Sequence, residues 1–247
     1  MTIFSNGGEQ PVPLLELRNI TKVFGTLKAN DQIDLDVQPG EIHALLGENG
    51  AGKTTLMNIL YGLYHPDGGE IFLRGQSIRI KSPRDAIRQR IGMIHQHFML
   101  VPTFSVVENV ILGLPVEHEP LLDLRSAARR LTELSGQYGL QIDPNAQVGN
   151  LPVGVQQRVE ILKALYRGAD LLVLDEPTAV LSPLEIESFF QVLRRLAKQG
   201  LSIIFISHKL EEVLHISDRI TVLRRGKKVG TLPTAQANTR NLAEMMV

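Results

Sequence analysis

Cysteine is absent from the 247-residue chain, which excludes a disulfide scaffold and any cysteine-rich zinc site and is compatible with a reducing compartment. Charge excess is absent too. The 26 basic residues balance the 26 acidic ones, so nothing in the charge points to nucleic acid as a partner. No apolar run is long enough to span a bilayer. Work at a membrane would require docking onto another protein there. The stretch from Met1 to Pro13 lacks the basic flank and apolar segment of a secretory signal, and is expected to be a loose tail. What remains, 43% apolar and 21% charged, is ordinary for a folded globular protein.

Short β-rich runs alternate with helical patterns. Strands are expected at Leu14 to Ile20, Ile33 to Val37, Ile42 to Leu46, Ile71 to Arg74, Ile78 to Ile80, Ile91 to Ile94, Leu171 to Leu174 and Ile203 to Ile206. Helices are expected at Lys53 to Tyr61 and Ser182 to Gln199. Ile220 to Leu223 and Lys227 to Thr231 read as a hairpin turning at Gly226. From Ser105 to Tyr166 the pattern becomes almost wholly helical, with Leu124, Ala128, Leu131 and Leu134 on one face. This implies an α/β domain with a largely parallel core sheet and an inserted helical subdomain.

Gly47-Glu48-Asn49-Gly50-Ala51-Gly52-Lys53-Thr54-Thr55 fits the phosphate-loop pattern, between an apolar strand and a helix. Its glycines let the backbone wrap phosphates. Its N–H groups and the helix N-terminus face anionic oxygens. Lys53 supplies charge to the β- and γ-phosphates, and Thr54 offers a hydroxyl to Mg²⁺. Leu171 to Leu174 runs into Asp175 and Glu176, the carboxyl edge of a strand. Asp175 would there reach the metal, and Glu176 a water near the γ-phosphate. The competing reading is an acidic pair opening the next helix. His208 follows the strand Ile203 to Ser207 and is placed to donate to the γ-phosphate. His43, His65, His97, His118 and His215 have no such positional argument, and His95 reads as structural.

Together with Gln96 and Leu151 to Arg158, these residues resemble the ATP-binding domains of ABC transporters, over nearly the whole chain from about Leu14 to Val247. The resemblance implies a P-loop core with mostly parallel sheet, an N-terminal antiparallel β-subdomain and a helical subdomain at about 98–167. It implies ATP and Mg²⁺ as ligands. It gives Phe24 the role of stacking on adenine, with core packing as the plain alternative. It gives Gln96 contacts to metal and water and to the membrane subunit. It places Pro152, Val153 and Gly154 against the nucleotide of a second domain. The stretches Glu41 to Gly50, His95 to Pro102 and Asn241 to Val247 are similar to the first half of the tandem ATPases of simple-sugar and nucleoside importers. His95-Gln96-His97-Phe98 is more similar to the nucleoside branch. Transmembrane permease subunits, a second ABC domain on the same full-length chain and an extracytoplasmic binding protein are the implied partners. The implied location is the cytoplasmic face of the membrane. Two departures concern contacts across a domain pair: Leu151-Pro152-Val153-Gly154 stands where Leu-Ser-Gly-Gly is usual, and Ser182 where aspartate is usual. A non-transport ABC ATPase and an ATP-gated interaction module are the competing functions. The first usually carries coiled-coil, zinc-bearing or basic insertions that this chain lacks, and the second has no need of Glu176 or His208.

Overall fold

A computed structural model of the chain describes residues 12–96, 98–114 and 123–247. The tail expected over residues 1–13 therefore lies almost wholly outside the described residues, as do His97 and His118.

Four strands form an antiparallel sheet: β1 (Leu15–Phe24), β2 (Leu27–Val37), β4 (Gly68–Leu73) and β5 (Gln76–Ile78), in the order β2-β1-β4-β5. In β1, Leu15 and Leu17 alternate inward against outward Glu16 and Arg18. A register shift then lets Ile20 bury, with Asn19 at φ 51°. β1 and β2 both run further than expected, so that Phe24 pairs with Leu27 across a tight turn at Gly25.

The second sheet has six strands in the order β10-β9-β3-β8-β7-β6. Its β3 (Ile42–Leu46), β6 (Ile91–Ile94), β7 (Leu171–Asp175), β8 (Ser202–Ser207) and β9 (Arg219–Arg224) are parallel, and β10 (Lys227–Pro233) pairs antiparallel at the edge. β3, β6, β7 and β8 are buried along their whole length. Covered faces on both sides explain why they read as continuous apolar runs. α1 (Lys53–Leu60) packs with Leu56, Met57, Ile59 and Leu60 into the core shared with the antiparallel sheet. α6 (Pro183–Lys198) presents Phe189, Phe190, Leu193 and Leu196 to the opposite core.

Between β6 and β7 the chain leaves the sheet for α3 (Val106–Ile111), α4 (Leu124–Tyr138) and α5 (Val153–Tyr166). The block is less helical than expected. Residues 98–104 and 140–147 are irregular, and a single 3-10 turn covers Val148–Asn150. Proline at positions 102 and 144 and Gly139 in the left-handed region break the periodicity. The buried face of α4 is Ala127, Leu131 and Ser135, while Leu124 is exposed; the expected face was rotated about its one deep member, Leu131. Three helices were not anticipated: α2 (Pro83–Arg88), α7 (Leu210–Ile216) and α8 (Thr239–Met246). They are too short for apolar period to show; α2 and α8 carry a signal in their caps, Ser82 with Asp85 and Asn238 with Asn241, while α7 has no capping side chain. No described helix is long and apolar enough to cross a membrane.

Candidate functional site

Parallel pairing brings separate motifs to one edge. Leu46 lies beside Ser207, Asp175 beside Ile206, and Ile94 beside Leu174. The residues that follow these strands must therefore share the carboxyl edge of the sheet: Gly47 onward, Glu176, His208 and Gln96.

The loop from Gly47 to Gly52 is fixed by close approaches that only glycine permits. A Cβ at Gly47 would collide with the carbonyl oxygen of Leu223. Gly52 holds φ 99°, and a Cβ there would collide with the carbonyl of Ala29. α1 opens from Gly52 with no side-chain cap and no acidic residue in its first turn. Its leading N–H groups are left for an outside acceptor, the arrangement that favours an anion. Lys53 is 5% exposed and donates to the carbonyls of Gly47 at 2.6 Å and Glu48 at 2.9 Å. Burial lowers its ammonium below the usual lysine range, against the opposing pull of Glu176 and Asp175. A cleft of about 1000 Å³, open to solvent, lies over the loop. Phe24, Lys28, Arg225 and Glu176 are among the residues that line it.

Asp175 is 8% exposed at the end of β7. Burial pushes its carboxyl up. A hydrogen bond from the Thr54 hydroxyl opposes this, Glu176 adds to it, and His95 and Lys53 oppose it. Two hard oxygen donors in contact, from Thr54 and Asp175, suit Mg²⁺, which takes few protein ligands and completes its shell with phosphates and water. Among the described residues no cluster of three His, Asp or Glu side chains forms a separate metal cage. Glu176 adopts φ 46°, a left-handed conformation costing on the order of 1 kcal/mol for a residue with a Cβ. Its N–H donates to the carbonyl of Ile206 at 3.1 Å. Its Oε1 lies 2.9 Å from Nδ1 of His208, bridging the ends of β7 and β8. Gln96 is exposed at the same edge, and His95 beside it packs edge-on against Tyr61.

Phe24 is 42% exposed, with its edge toward Tyr64 and Lys22 over its ring. Pro152, Val153 and Gly154 do not line the cleft; they open α5 elsewhere, with Pro152 as its cap. There Glu185 accepts from the N–H and hydroxyl of Ser182, which hold its carboxyl below the usual range, with a smaller contribution from the Gly154 backbone. His43 is fully buried between Glu41 and Thr221, a structural histidine.

Lys28 and Arg225 carry no mark of this position in the sequence. Both reach the cleft because the N–H of Gly226 donates to the Ala51 carbonyl at 3.1 Å and the Gly226 carbonyl accepts from Asp31 at 2.7 Å. The Arg225-Gly226 turn was legible as a turn, but its seat against the phosphate loop is a tertiary fact.

The profile of the ABC transporter family matches residues 30–179. The nucleoside import ATP-binding protein NupA of Lactococcus lactis subsp. cremoris is 52% identical over 95% of this chain and 46% of its own length. The guanosine import ATP-binding protein NupO of Bacillus subtilis is 53% identical, with 95% and 46% covered. The ribose import ATP-binding protein RbsA 1 of Rubrobacter xylanophilus is 47% identical, with 95% and 47% covered. The chain thus spans about half the length of the curated relatives it matches. Among solved structures, the ADP conformation of the ATP-binding cassette MJ1267 superposes with TM-score 0.84 at 24% identity, covering 94% of this chain and 98% of that one. A post-hydrolysis dimer of the cassette MJ0796, bound to ADP and Pi, gives TM-score 0.74 at 26% identity, covering 89% and 98%.

Proposed function

Because this chain belongs to the ABC transporter family, we propose that it is the ATP-hydrolysing domain of an importer for a nucleoside or a simple sugar. Residues 14–247 form that domain, with the helices of about 98–167 as its inserted subdomain. It is the first half of a tandem protein that sits on permease subunits at the cytoplasmic face of the membrane. An extracytoplasmic binding protein supplies the solute. The length relation to NupA, NupO and RbsA 1 supports the tandem arrangement, and the naming of all three as import ATP-binding proteins supports import.

The observation that carries hydrolysis, beyond binding, is the 2.9 Å contact of Glu176 with His208 opposite the buried Lys53. A module that only held nucleotide would have no use for a strained carboxylate there. In this reading Gly47, Glu48, Asn49, Gly50, Ala51, Gly52, Lys53, Thr54 and Thr55 wrap the triphosphate of ATP, and Phe24 stacks on adenine. Thr54, Asp175 and Gln96 hold Mg²⁺, which when bound neutralises phosphate charge. Glu176 accepts a proton from the attacking water, and His208 donates to the γ-phosphate. Glu176→Gln keeps the shape and loses the base. In the assembled transporter it should still bind ATP yet turn over at least ~100-fold more slowly. Turnover at the unmutated rate would remove Glu176 from the reaction.

The permease contact falls on Gln96 and residues 98–113. Met99 is 63% exposed and Phe104 37% exposed on this segment. Beside it a groove of about 640 Å³ runs between Tyr61, Arg90, Met99, Glu160 and Arg167. An apolar residue over a groove with charged walls is the surface a partner's short helix would fill.

A further inference from the structure

We infer that Glu212, a residue of α7 outside the nucleotide cleft, is the positioning residue for the Glu176–His208 pair. The inference rests on the hydrolytic reading of that pair. Glu212 is 8% exposed. A carboxylate so buried needs partners, and the ones it has come from the two loops that carry the site. Its Oε2 accepts from the Thr178 hydroxyl at 2.6 Å and from the Ser207 hydroxyl at 3.3 Å. Its Oε1 accepts from the Lys209 ammonium at 2.9 Å. Ser207 also accepts from the Lys209 N–H at 3.0 Å, closing the turn on which His208 stands. Thr178 and Ser207 are each 2% exposed, so water offers their hydroxyls no ready substitute for the carboxylate.

Thr178 lies two residues after Glu176, and Ser207 and Lys209 flank His208. One side chain therefore fastens both loops. The fastening matters because Glu176 is held at φ 46°, a conformation that persists only where its surroundings over-determine it. The Ile206 carbonyl holds the Glu176 N–H, and Gln157 of α5 donates to the Pro177 carbonyl at 2.6 Å. Glu212 supplies a further anchor, one that ties Thr178 of this loop to Ser207 and Lys209 on either side of the histidine. Without it the carboxylate and imidazole keep their chemistry but lose their fixed separation. Nucleotide contacts made by the phosphate loop are untouched. The expected signature is thus a fall in kcat with KM for ATP unchanged.

Thr178→Val, nearly isosteric, removes only the hydroxyl. In the full-length protein assembled with its membrane subunits, kcat should fall roughly tenfold or more, the scale at which partners of a reacting group act. KM for ATP should stay within about twofold, and Thr178→Ser should restore kcat. Glu212→Met, which removes both acceptor oxygens, should lower kcat at least as much as Thr178→Val, and adding Thr178→Val to it should cost little more, because the Thr178 link is already broken. Thermal melting of each variant separates misfolding from misplacement. Unchanged kcat in Thr178→Val overturns the inference, as does a fall in kcat that only matches a smaller folded fraction or is not restored by serine. Glu176→Gln is measured alongside. If Glu176→Gln turns over normally, the hydrolytic reading fails and this inference with it. If Glu176→Gln is slow while Thr178→Val is normal, the inference alone fails.

Discussion

Phe24 shows how one exposure decides between two readings of an aromatic. As a core residue it would be buried like Leu15 or Ile20, which have no exposure at all. It is instead 42% exposed at the lip of the cleft, steadied at its edge by Tyr64 with ring centroids 5.3 Å apart. A ring so placed favours stacking on a base over packing. Phe24→Ala should weaken ATP binding by about 1–3 kcal/mol, the range for base–aromatic stacking, and Phe24→Tyr should be nearly neutral. Isothermal titration gives the affinity and a melting curve without nucleotide gives the stability. Equal losses in both for the alanine variant would return Phe24 to the core. Lys53 makes the complementary point. Its ammonium already donates to two loop carbonyls. Phosphate binding there would exchange hydrogen bonds instead of creating them from a bare charge.

The α5 N-terminus belongs to the scale of elements. A helix start offers N–H groups and a positive dipole end, and a serine and glycines there suit a phosphate. Here Pro152 brings neither hydroxyl nor N–H, Val153 adds bulk, and the Glu185 carboxylate of the next helix stands beside Gly154. If this end faces the nucleotide of a partner domain, the chain is a poor donor to that site while its own phosphate loop stays complete. The isolated chain, with only such ends to offer itself, should be a weak ATPase. Pro152→Ser with Val153→Gly should raise its rate at least about tenfold, the worth of one hydrogen bond to a charged group. Brisk hydrolysis unchanged by that pair would make the substitution silent. The elements also mark what sequence could disclose. The places of Asp175, Glu176 and His208 at one sheet edge were legible because each stands at or just beyond the end of a strand buried on both faces, whose apolar run has a clear end. α4 was recognised but its buried face was misjudged, because Leu124 and Ala127 compete for one turn and packing settled on Ala127. Glu212 was invisible, since a glutamate in a short helix carries no mark of the hydroxyls that meet it from two distant loops.

Across the whole molecule the two sheets are joined by ions as well as by apolar packing. Arg219 opens β9 and forks onto Asp36 of β2 at 2.8 and 3.1 Å, with Glu41 at 3.4 Å; Arg74 and Asp170 make a second tie. The Arg219 guanidinium holds the Asp36 carboxyl below the usual range, against the cost of burial. An acid whose pKa is lowered by folding stabilises the fold above its unfolded value of 3.8, and that contribution is lost as pH falls through the lowered one. Asp36→Asn should therefore cost on the order of 1 kcal/mol at neutral pH, discounted for a pair only partly buried. Its deficit against the unmutated chain should begin to shrink below about pH 4, the unfolded value, and close only as pH falls through the lowered one. Urea titrations at pH 7 and at successively lower pH would measure both, and a gap that stays constant as pH falls would rule out the charge as its origin. The seat of Gly226 on Ala51 has a consequence in time. A ribosome finishes the phosphate loop early and the Arg225-Gly226 turn near the end of this stretch of chain, and loop closure over so long a span is slow to be repaid. Until that turn arrives, the phosphate loop lacks its support at Ala51 and the cleft lacks two of its lining residues, so the motif is synthesised well before its surroundings are complete.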